Sequence, residues 1–130
     1  MLVRASMWEI SHETEIAAAH QLRFAPGDGE KLHGHNWRIK ATVCANALSK
    51  EGWVVDFYVL GRVLRAIVEP WEHAFLNEIP PYDDLNPTAE NIARVVADEL
   101  AAKIDDGRVR VARVDVFESA TCRATYFRGE

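Results

Sequence analysis

Three histidines carry the first chemistry in this sequence. His33 and His35 flank Gly34. In an extended chain alternate residues share a face, so both imidazoles point the same way. His20 lies upstream, and an antiparallel return of the chain would bring it beside the pair. Three converging neutral imidazoles suit zinc, which takes nitrogen ligands at about 2.0–2.1 Å. Three protein ligands leave the fourth position open, as in catalytic sites and unlike closed structural ones. Gly34 would give room for metal or substrate between the rings. Plainer readings stand beside this one. An HxH triplet arises by chance, and His20, in Ala17-Ala18-Ala19-His20-Gln21-Leu22, also reads as a partly buried histidine with a backbone partner. His12 stands among charged neighbours and reads as a surface residue.

The elements that must position these residues follow from periodicity. From Met7 to Ile16, Trp8, Ile10, Thr14 and Ile16 alternate with Glu9, Ser11, Glu13 and Glu15, a strand with one wet face. Pro26, Gly27, Asp28 and Gly29 make the following stretch a loop. A second strand is expected from about His35 to Ala45, with Trp37, Ile39, Ala41 and Val43 opposite Arg38, Lys40 and Thr42. The period then changes to helical. Phe57, Leu60, Val63, Leu64, Ile67 and Val68 lie on one face, with Asp56 as N-cap and Pro70 marking the end. A Pro-, Asp- and Asn-rich loop leads to a second helix from Thr88, a good capping residue, through Ile92, Val95, Val96 and Leu100 to about Ile104. Asp105, Asp106 and Gly107 stop it, and strands Val109 to Glu118 and Cys122 to Phe127 close the chain. The order ββααββ predicts an α+β fold, two helices on one face of a four-stranded antiparallel sheet.

At 130 residues the chain makes one domain, with 48% hydrophobic and 27% charged residues, which excludes disorder and fibrous repeats. The net charge of −5, with no basic run, argues against nucleic acid or an anionic membrane as partner. The apolar stretch from Trp53 to Trp71 is broken by Asp56, Arg62, Arg65 and Glu69, so no segment spans a bilayer. Glu9, His12, Glu13 and Glu15 stand where a signal peptide needs its hydrophobic stretch. Cys44 and Cys122 lack CxxC spacing and read as two buried free thiols of a cytoplasmic protein, with one disulfide as the alternative.

Six blocks occur in order: Ala18-Ala19-His20-Gln21-Leu22, Leu32-His33-Gly34-His35-Asn36-Trp37, Trp53-Val54-Val55-Asp56-Phe57, His73-Ala74-Phe75-Leu76-Asn77, Pro87-Thr88-Ala89-Glu90-Asn91 and Val116-Phe117-Glu118-Ser119. Together they resemble the 6-pyruvoyl-tetrahydropterin synthase / 6-carboxytetrahydropterin synthase family, from about Ile10 to Tyr126. The resemblance implies the tunnelling fold, in which trimers close a twelve-stranded barrel and two trimers stack into a hexamer. Closure would remove the exposed edges of an isolated sheet. It also implies a lyase acting on 7,8-dihydroneopterin triphosphate, with zinc held by His20, His33 and His35. Zinc would acidify the substrate's side-chain hydroxyls and polarise the carbonyl that forms. Glu118 matches the pterin anchor, a carboxylate able to accept two parallel N–H bonds from the ring edge. Thr88 falls in a matched block as a further substrate-binding candidate, and Lys31 is the nearest cation for the phosphates. The plain reading of Glu118 is an exposed carboxylate at a strand end.

Two departures from the family pattern bear on the product. Most members carry a catalytic cysteine four residues before the first histidine of HGH, a position that here is Gly29. Glu30 stands next to it, as in the branch where a glutamate replaces the cysteine and the side chain is cleaved to 6-hydroxymethyl-7,8-dihydropterin, a folate precursor. A carboxylate beside zinc can take a proton from a metal-acidified hydroxyl and drive retro-aldol cleavage. The second departure is Glu72-His73, where the family usually shows Asp-His. His73 is expected as a proton relay, with Glu72 orienting its ring, or else as part of a packing cluster with Trp71 and Phe75. Competing outcomes are 6-carboxytetrahydropterin synthesis toward queuosine, the pyruvoyl product, and a non-catalytic zinc- and pterin-binding protein.

Overall fold

The alternation of the opening residues becomes strand β1, Trp8–His20, and the second apolar series becomes β2, His33–Ala45. They pair antiparallel in a register that sets Ile16 opposite Trp37, Ala18 opposite His35 and His20 opposite His33. The computed structural model describes residues 6–24 and 30–129, so the loop expected at Pro26 to Gly29 lies outside the described residues. Both strands run further toward the histidines than their patterning indicates. Ala17, Ala18 and Ala19 are weak strand formers, but partners on both sides carry them.

Asp56 caps α1, Phe57–Val68, its carboxylate accepting from Tyr58 N–H at 2.9 Å. A 3-10 turn at Glu69–Trp71 takes Pro70 near its start, and β3, Ala74–Phe75, follows. Thr88 caps α2, Ala89–Ile104, its hydroxyl accepting from Asn91 N–H at 3.1 Å. The closing hairpin is β4, Val109–Phe117, and β5, Arg123–Phe127.

The sheet corrects the expected topology. It has five strands in the order β3-β1-β2-β4-β5, and β3 pairs parallel to β1 through Ala18–Ala74 and Ala19–Phe75. The four antiparallel strands are present, but the sheet is mixed. Two residues are too short to leave a period-two pattern, so β3 exists only through its tertiary partner.

Both helices cover one face, α1 over β1 and α2 over β4 and β5. There Leu60, Leu64, Val96 and Leu100 meet Trp37, Ile39, Val43, Val114 and Val116, all at most 1% exposed. Each such aliphatic side chain contributes on the order of 1.5–3 kcal/mol through burial. His12 is half-buried beneath α1, contrary to its surface reading: a Cβ at Gly61 would come within 2.7 Å of His12 Nε2. Glycine in mid-helix costs about 1 kcal/mol relative to alanine, and here it makes room for the ring. The cysteines are both free, but Cys122 is exposed and only Cys44 is buried. Among the described residues, no helix is long and apolar enough to cross a membrane.

Candidate metal centre

The ends of β1 and β2 build the centre. Since His20 faces His33 across the ladder and His35 lies two residues along β2, all three imidazoles project from the helix-covered face. Trp37 forms their floor, its ring 4.8 Å from that of His20 and 5.3 Å from that of His35. Its indole N–H donates to Ala18 O at 3.1 Å, which satisfies the polar end of a side chain only 1% exposed. Ala18, opposite His35, leaves that ring space. Continuing the β2–β4 register one residue past Arg38–Phe117 sets Glu118 across from Trp37, on the same face.

One ligand atom from each of His20, His33, His35 and Glu118 lies within 4.8 Å of the others. Glu118 Oε1 is 3.4 Å from His35 Nε2, and Oε2 is 3.9 Å from His20 Nε2. The carboxylate therefore borders the same cluster as the three imidazoles.

The tautomers fit a cation. His20 Nδ1 donates to Pro87 O at 2.8 Å, and His33 Nδ1 donates to Lys31 O at 2.8 Å, because a carbonyl can only accept. Neutral rings so fixed turn bare Nε2 lone pairs inward, and these face each other at 3.0 Å. Such a contact needs a cation or a proton between the rings. Backbone carbonyls holding the outer N–H are the usual support of metal-ligating histidines. His35 Nε2 is also buried, with no hydrogen-bond partner among the described residues. Burial lowers the His35 pKa, with a smaller contribution from His20 and His33, against the opposing pull of Glu118. Neutral imidazole is the form that ligates. The donor set of three imidazole nitrogens and a carboxylate suits zinc.

Glu30 lies at the edge of this group. Its Oε1 accepts from Leu22 N–H at 3.0 Å and is 3.6 Å from His33 Nδ1. Gly29, the position at which the family usually carries its cysteine, lies outside the described residues. Cys44 is opposite Glu9, at the far end of the ribbon from His33. Cys122 lies across the β4–β5 turn from Glu118, whose N–H donates to Cys122 O at 3.0 Å.

Other expected residues are not brought to the cluster. His73 has a φ of 58°, rare outside glycine, and its N–H donates to Ala17 O at 2.6 Å. It lines a cavity of about 560 Å³ with Ala17, Ala19, Gly34 and Asn36, and with Ala18 and His35 of the cluster's own face. By strand alternation Ala17, Ala19, Gly34 and Asn36 belong to the helix-free face. Gly34 likewise frees space on that face and not between the two rings: a Cβ there meets nothing nearer than Ala18 O at 3.8 Å. Glu72 does not hold the His73 ring. Its Oε2 accepts from Ala17 N–H at 2.7 Å and its Oε1 from Arg65 at 3.0 Å. These two donors, the Ala17 N–H first, hold the carboxyl below the usual range. Thr88 uses its hydroxyl as a helix cap, while Pro87 beside it reaches His20 through its carbonyl. The carbonyls of Lys31 and Pro87 were missed in the sequence because every residue offers one.

The sequence matches the 6-pyruvoyl tetrahydropterin synthase family over residues 9–129. The chain belongs to that family. A 6-carboxy-5,6,7,8-tetrahydropterin synthase of Synechocystis is 35% identical, over 93% of this chain and 94% of the relative. A dihydroneopterin monophosphate aldolase of Pyrococcus furiosus is 30% identical, over 84% and 88%. The fold is similar to that of Plasmodium vivax 6-pyruvoyltetrahydropterin synthase in a variant with its glutamate catalytic residue replaced by alanine. That match has a TM-score of 0.78 and 22% identity, over 96% of this chain and 99% of the other. Family membership makes the chain a pterin-metabolising lyase, and 6-pyruvoyl tetrahydropterin synthase proteins are oligomeric.

Proposed function

We propose that this chain is a zinc-dependent lyase that cleaves the side chain of a 7,8-dihydroneopterin phosphate to 6-hydroxymethyl-7,8-dihydropterin. The observation that carries this reading is the Glu30 carboxylate, oriented by the Leu22 N–H at 3.0 Å and 3.6 Å from Nδ1, the outer nitrogen of His33. The P. furiosus relative is named an aldolase, and the P. vivax enzyme has a glutamate as catalytic residue, which supports the same role for Glu30.

His20, His33 and His35 would hold the zinc, with Glu118 beside them. When bound, zinc supplies Lewis acidity that makes the substrate's side-chain hydroxyls easier to deprotonate. Glu30 takes the proton from the C2′ hydroxyl. That oxygen's electron pair becomes the C2′ carbonyl, the C1′–C2′ bond breaks, and its electrons pass into the pterin ring system. A proton returned to C1′ leaves the hydroxymethyl group, and the phosphorylated two-carbon aldehyde departs. Glu118 binds the amino edge of the pterin, a charge-assisted contact. His73 shares a cavity with residues of the helix-free face and with His35, and a relay role is favoured in an oligomer in which a second copy brings it to the cluster. Thr88 contributes by capping α2 next to Pro87, which orients His20.

The Synechocystis relative favours a second reading, 6-carboxytetrahydropterin synthesis. Chromatography of the pterins formed from 7,8-dihydroneopterin triphosphate and monophosphate separates the two. Glu30→Gln should keep zinc and lose on the order of a hundred- to ten-thousandfold in turnover, the usual contribution of a general base. A drop smaller than about tenfold would remove Glu30 as the base. No turnover of either phosphate by zinc-loaded protein would leave only a binding role.

A further inference from the structure

Beyond His20, no backbone–backbone hydrogen bond among the described residues reaches residues 21–24, yet side chains hold them. Asn77 accepts from Gln21 N–H at 2.9 Å and donates to Gln21 O at 2.7 Å. Asn86 repeats the pattern on Arg23, accepting from its N–H at 2.8 Å and donating to its O at 2.9 Å. Alternate residues of a strand turn their N–H and C=O toward the same edge, so two amides spaced at Gln21 and Arg23 replace a neighbouring strand. They extend the edge on which β3 pairs with Ala18 and Ala19.

The opposite edge presents the Leu22 N–H, and its acceptor is Glu30 Oε1. Gln21 Nε2 also donates to Glu30 O at 2.7 Å. The frame is braced further. The Arg23 guanidinium donates to Tyr82 O at 2.8 Å and Leu85 O at 3.2 Å, and Asn91 donates to Asn86 O at 2.9 Å.

The geometry points to Asn77 and Asn86 as positioning residues for the Glu30 carboxylate, acting through the Gln21–Arg23 backbone and the Leu22 N–H. This rests on the reading of Glu30 as the base. Among the described residues neither asparagine hydrogen-bonds to a histidine of the cluster, and the Pro87 carbonyl that holds His20 is backbone that both alanine variants keep. Both should therefore act on turnover and not on metal binding. A shift of the carboxylate by about 1 Å is enough to lower a chemical step by as much as a hundredfold.

The test uses full-length, zinc-loaded protein carrying Asn77→Ala or Asn86→Ala, alone and combined with Glu30→Gln. Residue-resolved hydrogen exchange at the Leu22 amide reads the geometry directly and should accelerate about tenfold in either variant. Turnover of dihydroneopterin phosphate should show kcat lowered about ten- to a hundredfold, with KM and zinc per chain unchanged. In the Glu30→Gln background the same substitutions should add less than about threefold, since the group they position is gone. Unchanged exchange at Leu22, an undiminished loss in the Glu30→Gln background, or zinc lost with activity would each overturn the proposal. Should Glu30→Gln retain full turnover, the base assignment fails, and the Leu22 exchange still decides whether the asparagines hold the carboxylate. If the alanine variants do not fold, Asn77→Asp and Asn86→Asp keep the acceptor and lose the donor, and should accelerate Leu22 exchange to a smaller degree. No acceleration in them would count equally against the proposal.

Discussion

Around Ile16 and Trp37 the β1–β2 ribbon is held by backbone ladders and an apolar floor, whereas past His20 and before His33 the same two segments are held by side chains. In the middle, each residue shares its burial with many neighbours, and the ladder is indifferent to which side chain it carries. At the end, Asn77, Asn86 and Glu30 supply the hydrogen bonds, and each polar atom depends on one particular partner. The middle therefore sets stability and register, and the end carries the candidate site. A one-residue slip of β1 against β2 would put His20 and the His33–His35 pair on opposite faces, so the cluster depends on the middle without sharing its residues.

The comparison is sharpened most by His33→Ala, which should abolish zinc binding and activity while leaving a folded oligomer, because the apolar core lies elsewhere. Metal analysis and chromatographic size check it; full zinc occupancy would remove His33 from the ligand set, and failure to fold would make the site structural. Ile39→Ala is the counterpart in the middle: Ile39 is 0% exposed, and the variant should lose about 2–5 kcal/mol of stability. Its folded fraction should retain full zinc, and zinc lost in step with stability would erase the distinction between the regions.

Glu118→Gln should weaken pterin binding about ten- to a hundredfold, the range for a charge-assisted contact of about 1.5–3 kcal/mol. Because the carboxylate lies 3.4 Å from His35 Nε2, zinc affinity should fall as well. Titrations with each ligand separate the effects, and unchanged affinity for both would make Glu118 mere surface charge.

The smallest effect concerns Glu72, whose folded-state pKa lies below its usual value of 4.5 because Ala17 N–H and Arg65 donate to it. A depressed carboxyl stabilises the fold above the unfolded pKa, and that contribution is lost as pH falls through the folded value. The stability difference between the native chain and Glu72→Gln should therefore be present at pH 7 and shrink below about pH 4. Urea unfolding at both pH values checks this; an equal difference at each would show that the ionised form matters little.

Much of this arrangement is legible in the residues themselves. Alternation in Trp37-Arg38-Ile39-Lys40 gives a strand with a defined inner face, Asp56 and Thr88 cap the helices they precede, and HxH sets two imidazoles side by side. These are local rules of backbone geometry, so no fold is needed to read them. Only the tertiary structure decided the rest. The two-residue β3, the half-burial of His12 under Gly61 and the hold of Ala17 O on the His73 N–H depend on partners distant in sequence. Glu118 reaches His35 because β4 pairs with β2 in one register, and Glu72 meets Ala17 and Arg65 in place of its neighbour's ring. Periodicity says which face a side chain occupies. Which groups then meet on that face is set by strand pairing and by side-chain hydrogen bonds across long sequence separations, and these become fixed only when the whole core packs.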